Sequence, residues 1–459
     1  MTGIDLSVPM RVHVVGVGGA GMSAIASVLV AMGHRVSGSD LKDSVGLQRL
    51  AASGVEVHVG HDAAHVAGAD LVAVSTAIPD RNPEVVAAVA AGIPVARRAE
   101  ILAAICATRR TLAVSGTHGK TTTSSMLALV LVQAGVHPGF IVGGELNEIG
   151  SGAVWDRGEL FVVEADESDG TFVELPAAGV IVTNVEADHL DYYGDLAAIE
   201  AAFATFLAQS PGPNVACADD PGAARLGRAT GALLYGTSPD ADYRIVDPVI
   251  ERAGASFTLV GPHGELGHLR LPVPGLHNIR NATAATALAI EHGIPFAACE
   301  AALARYAGVA RRFQVKGRAG DVTVVDDYAH NPGKVAALLA AARGGGWPRV
   351  VVVFQPHRFS RTAALAHEFG ASFDDADVVV LMDVYGAGEA PVPGVTGKLL
   401  VEEVLGHRPW GVVAWLPRRA DVLTYLRHEL RPGDLCLTVG AGDVTSLGAD
   451  ILGMLEARA

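Results

Sequence analysis

Along the 459-residue chain, short runs of apolar and β-branched residues alternate with longer Ala- and Leu-rich stretches of helical period. Strand-length runs each followed by a helix predict parallel sheets with crossover helices. The pattern predicts strands at Val12–Val17, Arg35–Gly38, Leu71–Ser75, Thr111–Ser115, Leu160–Glu164, Val180–Thr183, Val322–Asp326, Val350–Gln355, Val378–Met382 and Leu435–Val439. One region breaks the rhythm: from Ala255 to Leu271 two strands flank a Gly-containing turn, the mark of an antiparallel hairpin. Glycine punctuates three strand–loop–helix units, opening at Gly16, Gly116 and Gly440. Domain boundaries are expected near residues 105–109, after a helical stretch ending at Ala107, and near 308–318. The second falls on the polar run ARRFQVKGRAG, where a hinge is also expected.

Composition narrows the picture. The length suits about three domains, and 50% apolar residues supply a large core. A formal net charge of −15 argues against nucleic-acid binding, because nothing basic is available to track a phosphate backbone. Anionic substrates must then be met by a few placed cations and backbone N–H groups, and the lysines are only Lys42, Lys120, Lys316, Lys334 and Lys398. Cys106, Cys217, Cys299 and Cys436 lie far apart without CxxC spacing, which reads as reduced, buried thiols. The opening MTGIDLSVPMR does not read as a secretory signal. The apolar stretch near Met126–Val132 is too short to span a bilayer, so no membrane insertion and a cytoplasmic location are expected.

Gly16-Val17-Gly18-Gly19-Ala20-Gly21 follows a strand, opens a helix, and is succeeded by Asp40 at the end of the next strand. That is the pattern for a diphosphate on a helix N-terminus with a ribose hydroxyl on the acid. It does not distinguish NAD from another ribose diphosphate, so a dehydrogenase stays open at this point.

Gly116-Thr117-His118-Gly119-Lys120-Thr121-Thr122 lies between the strand LAVS and a long helix. In such a phosphate loop, backbone N–H groups face the phosphates, Lys120 supplies charge, and Thr121 is placed for Mg²⁺. Val114 stands where the longer motif has its first glycine, leaving the shorter GTxGKT form. Glu164 ends an apolar strand and leads into Asp166, Glu167 and Asp169. Acids at the carboxyl ends of parallel strands point into the ligand crevice, which makes Glu164 the first metal candidate; the other three also fit a solvated loop. His189, beyond the following strand, fits either a metal neighbour or a surface group. Asn278 and Asn281 fit a base edge or a helix cap. Arg311 and Arg312 fit a surface position or a reach to a transferring phosphoryl group. Asp326-Asp327-Tyr328 and His357-Arg358-Phe359-Ser360-Arg361 both follow strands, and two arginines three apart suit a small carboxylate.

In order along the chain stand GVGGAGMS, GTHGKTTT, EADESDG, NVEADHLDYYG, PGLHNIRNA, RRFQ, DDYAHNP, FQPHRFSRT and DVYGAGE. Together they resemble the Mur ligase family over the whole chain. The resemblance implies an α/β protein of three domains. These are a Rossmann-like UDP-substrate domain over 1–107, a central P-loop ATPase-type domain with an added antiparallel portion over 108–314, and a Rossmann-like C-terminal domain over 315–459. It implies an ATP-dependent amide-forming ligase of peptidoglycan precursor synthesis, and hence of cell-wall biogenesis, cell shape and division. GVGGAGMS, FQPHRFSRT and DVYGAGE favour the branch whose substrates are UDP-N-acetylmuramate and L-alanine.

By the same resemblance Gly18, Gly19, Ala20, Gly21 and Met22 hold the UDP part, with Ser39 and Asp40 near the nucleoside. Gly116 to Thr122 hold ATP, with Mg²⁺ near Thr121, Glu164 and His189. Asn281 meets the adenine, Arg312 and Asp327 reach ATP, and Tyr328, His357, Arg358 and Arg361 take the amino acid. Lys120, Glu164, His189 and Arg312 are the expected catalytic group. In this chain Asn331 stands where that branch usually has a second histidine, and no lysine lies between Lys120 and Lys316 to play the carbamylated lysine of several relatives. A sister ligase that takes a tripeptide, a dehydrogenase and a non-catalytic nucleotide-binding regulator are the competing readings.

Overall fold

The structure, a computed structural model, describes residues 4–75, 77–252 and 254–458; the first three residues of the opening segment lie outside the described residues. The chain forms two compact units, one of Met1–Val249, Ser256–Pro272 and Leu276–Ala307, the other of Ile250–Ala255, Val273–Gly275 and Gly308–Ala459. Three sheets, one for each of three domains, organise them.

The first sheet contains β1 (Arg11–Val15), β2 (Arg35–Asp40), β3 (Glu56–Val59), β4 (Leu71–Val74) and β5 (Val95–Arg97) in the order β3-β2-β1-β4-β5. All its pairs are parallel. Strand order reverses between β1 and β4, which is where an open parallel sheet leaves a crevice, and the Gly16 turn leaves β1 at that point.

The second sheet has ten strands: β6 (Arg110–Ser115), β7 (Gly139–Leu146), β8 (Ser151–Val154), β9 (Leu160–Glu164), β10 (Ala177–Val182), β11 (Val215–Cys217), β12 (Leu233–Gly236), β13 (Tyr243–Glu251), β14 (Gly254–Gly261) and β15 (Gly264–Leu271). Its order is β15-β14-β13-β12-β11-β10-β6-β9-β7-β8. β6 lies between β9 and β10, parallel to both, so the residues after these three strands share one edge. β7 and β8 are antiparallel. The two-residue link Pro262–His263 between β14 and β15 also demands antiparallel pairing, so the expected hairpin is present. The helix Lys120–Gln133 behind β6 buries Met126 through Leu131, which is why that apolar run is a core helix and not a membrane segment. Among the described residues no helix is long and apolar enough to cross a membrane.

The third sheet, in the second unit, has β16 (Gln314–Ala319), β17 (Val322–Asp327), β18 (Val350–Phe354), β19 (Val378–Leu381), β20 (Val412–Trp415) and β21 (Leu435–Val439) in the order β16-β17-β21-β18-β19-β20. β16 is antiparallel to β17; the other pairs are parallel. The polar run expected to be a linker is therefore partly a strand: Gln314–Ala319 pairs along the sheet edge, where polar side chains meet solvent without cost. The predicted strands are all present, with ends shifted by at most three residues. The predicted end of the first, Val17, lies beyond β1, because Gly16 turns the chain with φ +78°.

Candidate active site

The phosphate loop leaves β6 at Gly116, whose φ of +133° and close packing exclude a side chain: a Cβ there would stand 2.1 Å from Thr183 Oγ1. The loop is strapped to the segment after β10. Thr117 N–H donates to the Asn184 carbonyl at 3.1 Å and His118 N–H to Asn184 Oδ1 at 2.7 Å. Asn184 Nδ2 and Thr183 Oγ1 both donate to the His118 carbonyl. Gly119 caps the helix at φ +83° without a side-chain cap, so the first-turn N–H groups of Lys120, Thr121 and Thr122 are left for an anion. Lys120 Nζ donates to the Gly116 carbonyl at 2.7 Å and stands 2.7 Å from Glu167 Oε2. Glu167 is buried, and burial raises its pKa in spite of the Lys120 charge. For the neighbouring Asp166, burial also pushes upward, but the Lys120 charge, Ser168 hydrogen bonds and Arg98 charge outweigh it and the pKa falls.

Thr121 Oγ1 donates to Glu164 Oε1 at 2.9 Å, and Glu164 Oε2 accepts from Gly143 N–H at 2.6 Å. This hydroxyl–carboxylate pair is an oxygen set that fits a hard cation such as Mg²⁺. His189 lies apart from that pair. Its Nε2 is 3.8 Å from Glu167 Oε1 and 3.7 Å from Asp188 Oδ2. Among the described residues no three His, Cys, Asp or Glu side chains gather to hold a metal. Asn281 is buried behind the loop, and a Cβ on Gly119 would come within 2.8 Å of its Oδ1.

In the first sheet, β2 holds the glycine turn. The Ser39 carbonyl accepts from Gly16 N–H at 2.8 Å and Val17 N–H at 3.0 Å, and Asp40 Oδ2 accepts from Gly18 N–H at 2.9 Å. The helix Ala20–Ala31 starts at Gly19 with no side-chain cap, leaving the amides of Ala20, Gly21 and Met22 for a ligand. Met22 is buried, so its side chain is not presented to a ligand. Ser39 is also buried, and its hydroxyl donates to Glu84.

A cavity of about 520 Å³ runs from this turn to the acids at the end of β9; Ala20, Gly21, Arg98, Gly143, Glu164 and Asp166 are among its lining residues. Arg98 lies against Gly21 and supplies the cation there. Sequence reasoning missed it, and its signal was weak: an arginine at the start of a helix, in RRAE, resembles a solvated terminus.

In the second unit, Asp327 ends β17 and accepts from Phe313 N–H at 2.7 Å and Ala329 N–H at 2.8 Å. Burial raises its pKa against the pull of the Arg312 charge. Arg311 and Arg312 both lie over the Tyr328 ring, at 4.9 and 5.6 Å. Arg311 Nε also pairs with buried Asp326 at 3.3 Å. His357 stacks on Tyr385 at 5.8 Å, and its Nδ1 is 3.3 Å from Arg361 Nη1. Arg358, at φ +68°, begins the helix Phe359–Ala364 that carries Arg361. His330 completes the group, 5.9 Å from His357 ring to ring. Burial holds its pKa down at about 3, assisted by the Arg361, Lys334 and His357 charges. Asn331 caps the helix Pro332–Gly344, accepting from Lys334 N–H at 3.0 Å. The expected residues Tyr328, His357 and Arg361 thus come together, with His330 and Tyr385 added by the fold.

Three family models match in succession: the Mur ligase catalytic domain over residues 11–110, the Mur ligase middle domain over 114–289, and the Mur ligase glutamate ligase domain over 311–442. The UDP-N-acetylmuramate–L-alanine ligase of Acidothermus cellulolyticus is 48% identical, over 98% of this chain and 95% of that protein. The enzyme of the same name from Pelotomaculum thermopropionicum is 45% identical, over 97% and 98%. Among solved structures, the UDP-N-acetylmuramate-alanine ligase of Thermotoga maritima superposes with a TM-score of 0.83 at 28% identity, covering 98% of this chain and 100% of that one. A murein peptide ligase from Psychrobacter arcticus shares the fold, with a TM-score of 0.70 at 23% identity over 97% and 99% of the two chains. With two glycine turns on parallel strands, a cavity reaching from the first of them to Glu164, and three consecutive domain matches, the chain belongs to the Mur ligase family.

Proposed function

We propose that this protein joins L-alanine to the carboxylate of UDP-N-acetylmuramate, with conversion of ATP to ADP and phosphate, in peptidoglycan precursor synthesis. The observation that carries the reading is the cavity between the glycine turn and Glu164: a substrate anchored by its diphosphate at Gly18–Met22 has a path to the carboxylate that Thr121 of the phosphate loop contacts. The names of the relatives agree with this reading. A dehydrogenase would leave the phosphate loop and the third domain without a task. A cytoplasmic location follows from the proposed substrates, ATP and a UDP-linked sugar.

The substrate carboxylate oxygen attacks the γ-phosphorus, the bond to ADP breaks, and an acyl phosphate forms. The alanine amine then attacks the acyl carbon, phosphate leaves, and the amine gives up a proton. Lys120 and the first-turn N–H groups of its helix offset charge on the transferring group. Mg²⁺, held by Thr121 and Glu164 with phosphate and water oxygens, would supply Lewis-acid neutralisation of the phosphates. We assign His189 to the outer rim of that site, Asn281 to the adenine end, and Arg312 and Asp327 to ATP. Tyr328, His357, Arg358 and Arg361 are assigned to alanine, the arginines meeting its carboxylate. Arg98 is assigned to the anionic part of the UDP-substrate. Orientation of this kind supplies about 7–11 kcal/mol of a barrier. We place the domain boundaries near residues 107 and 314.

The test is phosphate release from ATP with UDP-N-acetylmuramate and a panel of amino acids and a tripeptide. Alanine should support turnover, and Lys120→Ala should fold yet lose it. Turnover retained in that variant, or turnover with the tripeptide alone, would defeat the assignment.

A further inference from the structure

Behind the first glycine turn lies a buried polar network that the proposed chemistry does not use. The Glu84 carboxylate is fully buried at the start of the helix Pro83–Ala90. Its Oε2 accepts from Ser39 Oγ at 2.6 Å and pairs with His61 Nδ1 at 2.8 Å; its Oε1 pairs with His65 Nδ1 at 2.7 Å. His13 Nε2, from β1, stands 3.5 Å from Oε1, and its Nδ1 pairs with Ser37 Oγ at 2.8 Å. His58, from β3, stacks on His65 at 4.1 Å between centroids. His61 also contacts Ser39 Oγ, at 3.0 Å.

A buried carboxylate carries a desolvation penalty of several kcal/mol, and an apolar core would fill the same space without it. What the network does provide is a fixed position for Ser39. The Ser39 hydroxyl is directed inward and buried, so it does not reach a ligand directly. Its carbonyl, however, holds the Gly16 and Val17 amides, and the next residue, Asp40, holds that of Gly18. Three successive amides of the turn therefore depend on the end of β2, and the Ser39 side chain there is tied to Glu84. We propose that Glu84 is a positioning residue for the UDP-substrate, acting through Ser39 to fix the glycine turn that receives the diphosphate. The inference rests on the assignment of that turn to UDP-N-acetylmuramate.

Glu84→Gln keeps the shape of the side chain but sets an amide NH₂ against imidazole donors, while Ser39→Ala removes the link and leaves His61 and His65 on the carboxylate. The measurement is calorimetric titration of each variant and of the unaltered protein with UDP-N-acetylmuramate, and separately with a nonhydrolysable ATP analogue. We expect the Kd for UDP-N-acetylmuramate to rise about tenfold in each variant, with the ATP-analogue Kd within about twofold. The double variant should lose no more than about twofold beyond either single one, because both changes cut one path. Unchanged UDP-substrate affinity, an equal loss for both ligands, or fully additive losses would overturn the proposal. If Glu84→Gln does not fold, Ser39→Ala decides by the same criteria. Failure of the unaltered protein to bind UDP-N-acetylmuramate would instead remove the functional reading, and this inference with it.

Discussion

Lys120 and Glu167 form a close pair at 2.7 Å, yet Glu167 still has its pKa raised, because desolvation of a carboxylate outweighs one neighbouring ammonium. His330 shows the same penalty for a cation: burial leaves it neutral down to about 3 instead of the ordinary 6.5. Between those values the unfolded chain binds a proton that the folded chain refuses, so stability falls as pH drops from 6.5 toward 3. Replacing His330 with Gln should flatten that dependence, seen as a smaller change in urea midpoint between about pH 7 and 4; an unaltered change would refute the burial argument. Glu84 adds to acid sensitivity lower down. Burial would raise its pKa, but donors from His13, Ser39, His65 and His61 hold it at about 2 against an ordinary 4.5. Its contribution is complete above 4.5 and is lost as pH falls toward 2. Lys120 and Thr121 were legible in the sequence because a phosphate loop writes its chemistry in consecutive residues, and Glu164 because an acid ends an apolar parallel strand. Glu84 was not, since a buried polar network is assembled from separate segments and has no spacing to read; His330 was legible only as part of DDYAHNP.

The phosphate loop works as an element because glycine is the only residue its backbone accepts at Gly116. Gly116→Ala forces φ +133° on an L side chain and drives its Cβ to 2.1 Å from Thr183 Oγ1. The strained backbone alone costs about 1–3 kcal/mol. The strap to Thr183 and Asn184 must also shift, so the variant should lose ATP-analogue binding at a temperature where circular dichroism still reports a folded chain. Retained binding would show that the loop geometry is not needed. The strongly apolar strands β1, β6, β9, β10, β17, β18, β19 and β21 were foreseen, because parallel strands buried on both faces read as continuous hydrophobic runs. β7, β8, β11, β12, β13 and β20 were not foreseen, nor were β3, β5 and β16. For β3, β5 and β16 the reason is local: EVHV, VAR and QVKGRA are short or polar, as suits strands at a sheet edge.

At the scale of the whole molecule, the UDP turn, the cavity and the phosphate loop all lie in the first compact unit, while Asp327, His330, His357 and Arg361 lie in the second. Scanning calorimetry should therefore resolve two transitions, and UDP-N-acetylmuramate at about 100 times its Kd should stabilise the first by about 2.7 kcal/mol while leaving the second in place. A shift confined to the second transition would contradict the assignment of the turn. The sequence by itself determined the alternation of strands and helices, the family and the two glycine turns, because hydrophobic period and backbone chirality act over neighbouring residues. Only the tertiary structure decided that Arg98 faces the cavity, that Ser39 points inward to Glu84, and that His189 meets Glu167. Those contacts depend on which strands become neighbours in a sheet and on which side chains that pairing takes out of water.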